Sequence, residues 1–146
     1  MQQEPLTKDL TIISWNVSGV KRLMKHVLIP EFLGTSDILC FQETWALAPT
    51  KISGYYEIFK AAVQPGSFGR PSAGLSVYVK HARKLEAISI PLTSPNIEAV
   101  VISGVKIDRK PIALLLLNCY LNLSKGNKLA LMEDLYDSLD TLVAEF

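Results

Sequence analysis

The chain has 146 residues, of which 49% are hydrophobic and 20% charged, and its formal net charge is +1. This composition is typical of one globular domain or part of one, and it is far from the composition of disordered chains. A charge so near zero also excludes a global field that attracts polyanions, so nucleic acid binding would need a local patch. No apolar run approaches the ~20 residues that cross a bilayer. The first ten residues lack the pattern of a signal peptide, so we expect a nuclear or cytoplasmic protein that is not secreted and does not bind membranes.

The elements can be predicted in chain order from hydrophobic periodicity and turn residues. Residues 1–9 are expected to be a loose tail. Val20, Leu23, Met24, Val27 and Leu28 then recur at helical spacing, which predicts a helix that ends at Pro30. Runs rich in β-branched residues, bounded by Gly, Pro and polar residues, predict seven strands: 10–17, 37–42, 55–63, 74–80, 85–90, 97–107 and 112–121.

The C-terminal segment has a different period. Apolar residues from Leu129 to Phe146 repeat at intervals of three and four, as on one stripe of an amphipathic helix. Asp134, Asp137 and Asp140 fall on other faces, where we expect solvated charges. The order of elements therefore predicts an α/β fold in which helices cover one face of a sheet.

The strand 112–121 scarcely alternates between apolar and polar residues, which predicts burial on both of its faces. The chain also reaches Phe146 inside an apolar helix without a capping glycine. We therefore expect residues 1–146 to be part of a larger domain. Cys40 and Cys119 both lie in apolar, strand-like runs, which favours buried, reduced thiols over a disulfide.

Three polar residues stand at the ends of predicted strands, namely Asn16, Glu43 and Tyr120. A carboxylate suits Mg²⁺, an amide can orient a phosphate oxygen or a second carboxylate, and a phenol can donate to a phosphoryl oxygen. Each also has a simpler interpretation: turn chemistry for Asn16, a helix cap or an ion pair for Glu43, and a core aromatic for Tyr120.

Four segments, in order, resemble the motifs of the endonuclease/exonuclease/phosphatase superfamily. They are Ile13-Ser-Trp-Asn-Val-Ser-Gly, Asp37-Ile-Leu-Cys-Phe-Gln-Glu-Thr-Trp, Gly69-Arg-Pro-Ser-Ala-Gly-Leu-Ser-Val-Tyr-Val and Leu117-Asn-Cys-Tyr. The Gln-Glu-Thr-Trp and Gly-Arg-Pro-Ser stretches are most similar to endonuclease domains of non-long-terminal-repeat retrotransposons, which are related to apurinic/apyrimidinic endonucleases.

The resemblance implies the N-terminal half of a four-layer α-β-β-α sandwich of the deoxyribonuclease type, with a mostly antiparallel mixed sheet and helices on one face. It also implies catalytic roles for three residues. Glu43 matches the magnesium-binding glutamate, and Mn²⁺ is an alternative ion. Asn16 matches the asparagine near the metal and the scissile phosphate, and Tyr120 matches the tyrosine that contacts the phosphate. We expect Arg70, in the glycine-proline loop, to contact a DNA phosphate.

The sequence departs from the family pattern in several places. Ala73-Gly74 replaces a common pair of glycines, a mild change unless a positive φ is required, and Asn122 replaces a common proline. The Gly-Asp-Phe-Asn-like motif and the Ser-Asp-His motif, whose Asp-His pair activates water, are absent from this chain. Neither His26 nor His81 matches that base, so the chain has no general base.

The resulting hypothesis is the N-terminal half of a Mg²⁺-dependent DNA endonuclease that is inactive alone. It would need the missing C-terminal half or a complementing chain, and an exposed sheet face could form a dimer. One alternative is a non-catalytic remnant or interaction module that keeps the fold. A further alternative is a phosphatase of the same superfamily.

Overall fold

A computed structural model describes residues 10–26, 31, 33–64, 66–67, 69–121 and 128–145. The expected tail at residues 1–9 lies outside the described residues, as do the predicted end of the first helix, Asn122 and Phe146. Among the helices whose bounds lie within the described residues are α1 (Val20–Leu23) and α2 (Lys128–Glu145), and a 3₁₀ turn spans His81–Arg83. The strands are β1 (Ile12–Asn16), β2 (Ile38–Gln42), β3 (Tyr55–Lys60), β4 (Leu75–Lys80), β5 (Glu86–Ile90), β6 (Ile97–Ile107) and β7 (Lys110–Cys119).

The described strands form two sheets. The first has four strands in the order β1-β2-β4-β3, in which β1 and β2 are parallel and the other pairs antiparallel. The second has three antiparallel strands in the order β5-β6-β7. The predicted α/β fold with a mixed, mostly antiparallel sheet is therefore confirmed.

The two sheets pack face to face through alternate residues of their strands. Ile38 and Cys40 of β2 meet Val100 and Ile102 of β6 in one buried cluster. Because side chains alternate across a strand, Leu39 and Phe41 point the other way. They enter a second cluster, which includes Val20 of α1. This second cluster fixes the short helix beside the end of β2.

The helix α1 is shorter in the described residues than the sequence pattern predicts. Its four residues end at Leu23, and no side chain caps its start at Gly19. Helices this short are not stable on their own, so the burial of Val20 and Leu23 holds this turn in place.

The helix α2 confirms the predicted amphipathic segment, but its apolar stripe divides into two parts. Leu142 is buried, whereas Leu129, Tyr136 and Val143 are 72%, 59% and 77% exposed. The expectation that Asp134 is a solvated charge is wrong, because the buried hydroxyl of Ser94 donates a hydrogen bond to its Oδ2. Asp137 and Asp140 are exposed, as predicted.

The predicted burial of Cys40 is confirmed, whereas two further predictions need correction: the burial of Cys119 and the coverage of β7 on both faces. Cys40 is buried, and burial raises the pKa of its thiol to about 12. Cys119 is exposed, because the neighbouring Asn118 occupies the face between the sheets and directs residue 119 outward. The run Leu114–Leu117 is half-buried and not fully covered on both faces. In the part of the chain that the structure describes, no helix is long and apolar enough to cross a membrane.

Candidate active site at the ends of β1, β2 and β7

The segment Glu43–Trp45 leaves β2 between two loops that bond to its backbone. Hydrogen bonds of 2.9–3.0 Å join it and Gln42 to the loop after β1: Val17 N to Gln42 O, Gly19 N to Glu43 O and Val20 N to Thr44 O. On the other side Thr44 N donates to Gly74 O at 3.2 Å, and Trp45 N donates to Ala73 O at 3.0 Å. Glu43 therefore stands on backbone that is fixed from both sides.

The backbone around Glu43 is strained. Glu43, Trp45 and Ala73 have φ angles of +56°, +55° and +62°, a region that residues with a Cβ seldom adopt. The alanine that replaces a family glycine is therefore not a mild change, because position 73 does require a positive φ. Strain of this kind costs on the order of 1–3 kcal/mol per residue and clusters at functional sites.

The Glu43 carboxylate has a close partner in its own segment. The indole Nε1–H of Trp45 donates to Glu43 Oε2 at 2.6 Å. The Trp45 ring packs against Gly19, where an added Cβ would lie 2.9 Å from Cε3. Glu43 is half-exposed.

Arg70 lies above the same indole. Its guanidinium carbon is 3.8 Å from the centroid of the Trp45 ring, within the range of a cation–π contact. Arg70 is itself exposed. The structure thus places the predicted phosphate-binding arginine beside the segment that carries Glu43.

Asn16 ends β1 directly beside the end of β2, where it pairs with Gln42 in the parallel register. Its Oδ1 accepts 3.3 Å hydrogen bonds from the backbone N–H and the hydroxyl of Ser18. The turn chemistry that the sequence left open is therefore present. Because these contacts are long and Asn16 is exposed, its amide can also face a ligand.

Tyr120 lies directly after β7, and the end of that strand meets β2 through a buried polar contact. Gln42 Nε2 donates to Asn118 Oδ1 at 2.9 Å, and Asn118 Nδ2 donates to Phe41 O at 3.0 Å and to Ser76 O at 3.3 Å. Gln42 precedes Glu43 by one residue, and Asn118 precedes Tyr120 by two. The contact therefore brings the ends of β2 and β7 together.

The described residues fit a divalent cation only in part. Mg²⁺ prefers hard oxygen ligands and is held by one or two carboxylates while it keeps several waters. Glu43 and the Asn16 amide are such ligands. Within the described ranges, no three His, Cys, Asp or Glu side chains converge on one point. Glu43 and Asn16 therefore remain candidate ligands on the chemistry of their oxygen atoms alone.

The two histidines stand apart from this site. His81 follows β4, at the end opposite Leu75, which pairs with Gln42. Its ring lies 5.3 Å from that of Tyr56. His26 is exposed beyond α1. His81 therefore lies at the end of β4 opposite to the one that pairs with the end of β2.

Sequence reasoning missed the residues that connect the site. Gln42 and Trp45 lie within the motif that marks Glu43, and Asn118 precedes the motif tyrosine. The sequence did contain one signal for these residues. Asn118 is a single amide at the end of the apolar run Leu114–Leu117, and a buried amide needs hydrogen-bond partners. The identity of those partners required the tertiary structure.

Comparison with known proteins supports the fold. No protein-family model matches the chain, and no curated protein matches it. Among solved structures, an AP endonuclease from Archaeoglobus fulgidus is similar over 91% of this chain, with a TM-score of 0.56 and 22% sequence identity. The chain spans about half of that structure, 52% of its length. The chain therefore has a deoxyribonuclease-like fold of the kind seen in an AP endonuclease.

Proposed function

We propose that the chain is the N-terminal half of a Mg²⁺-dependent, phosphodiester-cleaving DNA endonuclease of the retrotransposon type, and that it is inactive alone. Mn²⁺ would substitute for Mg²⁺. Two observations support the proposal: Asn16 pairs with Gln42, the residue before Glu43, and Gln42 bonds to Asn118, two residues before Tyr120. The similarity to an AP endonuclease supports the same class of chemistry.

In this proposal each residue has one task. Glu43 and Asn16 hold the cation, which would supply positive charge to a phosphate oxygen. Tyr120 donates its hydroxyl to the phosphate, and Arg70 contacts the DNA backbone. Because the backbone of residues 43–45 is bonded on both sides, the carboxylate needs little reorganisation when the cation binds.

The expected inactivity follows from what the chain lacks. General-base catalysis contributes typically ~10²–10⁴ in rate, and the Ser-Asp-His motif that would provide it is absent from this chain. The same observation favours a second candidate, a non-catalytic remnant or interaction module that keeps the fold. The coding sequence downstream separates the two: in-frame Gly-Asp-Phe-Asn-like and Ser-Asp-His motifs support the enzyme, and a stop codon supports the remnant.

We extend the proposal to partners and location. The partners are DNA for the complete domain, and the C-terminal half or a complementing chain for this one. The exposed Ile88 on β5 and the exposed apolar residues of α2 support association, including a dimer. A nuclear or cytoplasmic location follows if DNA is the substrate. Light scattering of the purified chain should show association, and a clean monomer would contradict it.

The direct test uses the purified 146-residue chain. Titration with Mn²⁺, followed by electron paramagnetic resonance, should give weak binding that Glu43→Gln removes and that Glu86→Gln, an exposed control on β5, leaves unchanged. Incubation with Mg²⁺ and supercoiled plasmid should give no nicking. Nicking that Glu43→Gln abolishes would overturn the proposed inactivity, and Mn²⁺ binding unaffected by Glu43→Gln would overturn the metal role.

A further inference from the structure

We infer that Trp45 is a positioning residue that fixes the Glu43 carboxylate for a divalent cation and keeps it apart from the Arg70 guanidinium, so that both charges remain available to ligands. This inference rests on the proposed function, because the ligands are the cation and the nucleic acid phosphate. It concerns a residue to which the family resemblance assigns no role.

The first observation is the short hydrogen bond from the indole. Trp45 Nε1 lies 2.6 Å from Glu43 Oε2. A bond to a charged carboxylate at this distance is of the strong, directional kind. Since the indole nitrogen can only donate, the bond selects one carboxylate oxygen and leaves Oε1 for a cation. Groups that orient a metal ligand in this way commonly change metal affinity by 10–100-fold.

The second observation is that the ring itself cannot move freely. Gly19 approaches the benzo edge so closely that even a Cβ would be 2.9 Å from Cε3. The backbone N–H of Trp45 is held by Ala73 O, and Arg70 lies over the ring at 3.8 Å. The indole is therefore fixed by its neighbours before any ligand binds.

The third observation concerns the charges. Arg70 and Glu43 carry opposite charges, contact the same indole, and form no ion pair within the described part of the chain. A direct ion pair would neutralise the carboxylate and use the guanidinium that a phosphate requires. The indole instead meets Glu43 through its N–H and Arg70 through its face, so neither charge is neutralised by the other.

The experiment separates the hydrogen bond from the ring. Trp45→Phe keeps the ring and removes the N–H, so Mn²⁺ binding should weaken about tenfold while binding to duplex DNA stays within about twofold. Trp45→Ala removes both, so binding of Mn²⁺ and of DNA should weaken. The double variant Trp45→Ala/Arg70→Ala should recover part of the Mn²⁺ affinity, because the guanidinium can no longer pair with Glu43. Trp15→Phe, at the only other tryptophan, is the matched control.

A second measurement needs no metal. In ¹H–¹⁵N spectra the indole resonance of Trp45 should shift in Glu43→Gln, while that of Trp15 does not. An unchanged Trp45 resonance, or Mn²⁺ affinity in Trp45→Phe equal to that of the unsubstituted chain, would overturn the inference. If Glu43→Gln itself binds Mn²⁺ normally, or the unsubstituted chain binds none, the proposed metal site fails and the positioning role fails with it. In that case the resonance shift would still report the hydrogen bond.

Discussion

The side-chain amide of Gln42 donates to that of Asn118 across the interface between the two sheets, at 2.9 Å and 76 residues apart in sequence. Both side chains are buried. The two sheets contribute different parts of the candidate site, Glu43 from the first and Tyr120 from the second. The Gln42–Asn118 hydrogen bond therefore fixes the end of β2 relative to the end of β7.

We expect Gln42→Ala to lower the free energy of unfolding by about 2 kcal/mol, because the buried Oδ1 of Asn118 loses the Gln42 donor. Denaturant unfolding measures this. Gln64→Ala is the control, since that side chain is exposed and bonds only to Gly69 O in its own loop, and it should change stability by less than about 0.5 kcal/mol. A Gln42/Asn118 double-mutant cycle without coupling would contradict the role of the contact.

Ala73→Gly should stabilise the protein by about 0.5–1 kcal/mol, because glycine relieves the positive φ at this position. Gly74→Ala is the matched variant, with the opposite expected effect on stability. That position has a φ of +95°, and an added Cβ would lie 2.3 Å from Thr44 Oγ1, so a loss of about 2 kcal/mol or more is expected. Equal midpoints of urea unfolding for Ala73→Gly and the unsubstituted chain would show that the strain is relaxed in solution.

The stability of the fold should fall with rising pH because of Glu98. Its side chain is 4% exposed, its carboxylate oxygens have no hydrogen-bond partner among the described residues, and burial raises its pKa to about 8. The neighbouring Asn118 amide and Lys60 ammonium oppose this rise. Since the folded pKa exceeds the ordinary value, the folded state binds the proton more tightly than the unfolded chain. The stabilisation of the folded state by the protonated Glu98 is complete below about pH 4.5 and is lost as the pH rises to about 8.

This prediction is tested by comparing the pH dependence of unfolding in Glu98→Gln and in the unsubstituted chain. The difference in unfolding free energy should change by up to about 1.4 kcal/mol per pH unit between these limits, in favour of the variant at high pH. For Glu86→Gln, on the exposed face of β5, the curve of unfolding free energy against pH should run parallel to that of the unsubstituted chain. Parallel curves for Glu98→Gln would mean that the carboxylate finds a partner in solution.

Arg70→Ala should weaken binding to duplex DNA and reduce the slope of log affinity against log salt by about one, as expected for the loss of one phosphate contact. Fluorescence anisotropy at about 50 to 200 mM salt measures both the affinity and its salt slope. Arg109→Ala, an exposed arginine in the turn between β6 and β7, is the control. An identical salt slope for the two variants would remove Arg70 from the nucleic acid interface.

Much of the local structure could be predicted from the sequence. The strand Ile97–Ile107 was predicted at both ends, and β2 to within one residue, because β-branched runs bounded by turn residues determine where a strand lies. The ordered motifs also placed Glu43 immediately after a buried strand. The packing of α2 was less predictable, because Leu129 and Leu142 follow one helical pattern yet differ completely in exposure.

The sequence alone determined the periods of the elements and the positions of Asn16, Glu43 and Tyr120 at strand ends, because both depend on neighbouring residues. Only the tertiary structure decided which strands form each of the two sheets, that Gln42 meets Asn118, and that Arg70 lies over Trp45. These contacts join residues far apart in the chain, and a local pattern carries no information about such pairing. The positive φ of Ala73 has the same origin, because hydrogen bonds from the neighbouring segment impose it on a residue that does not favour it.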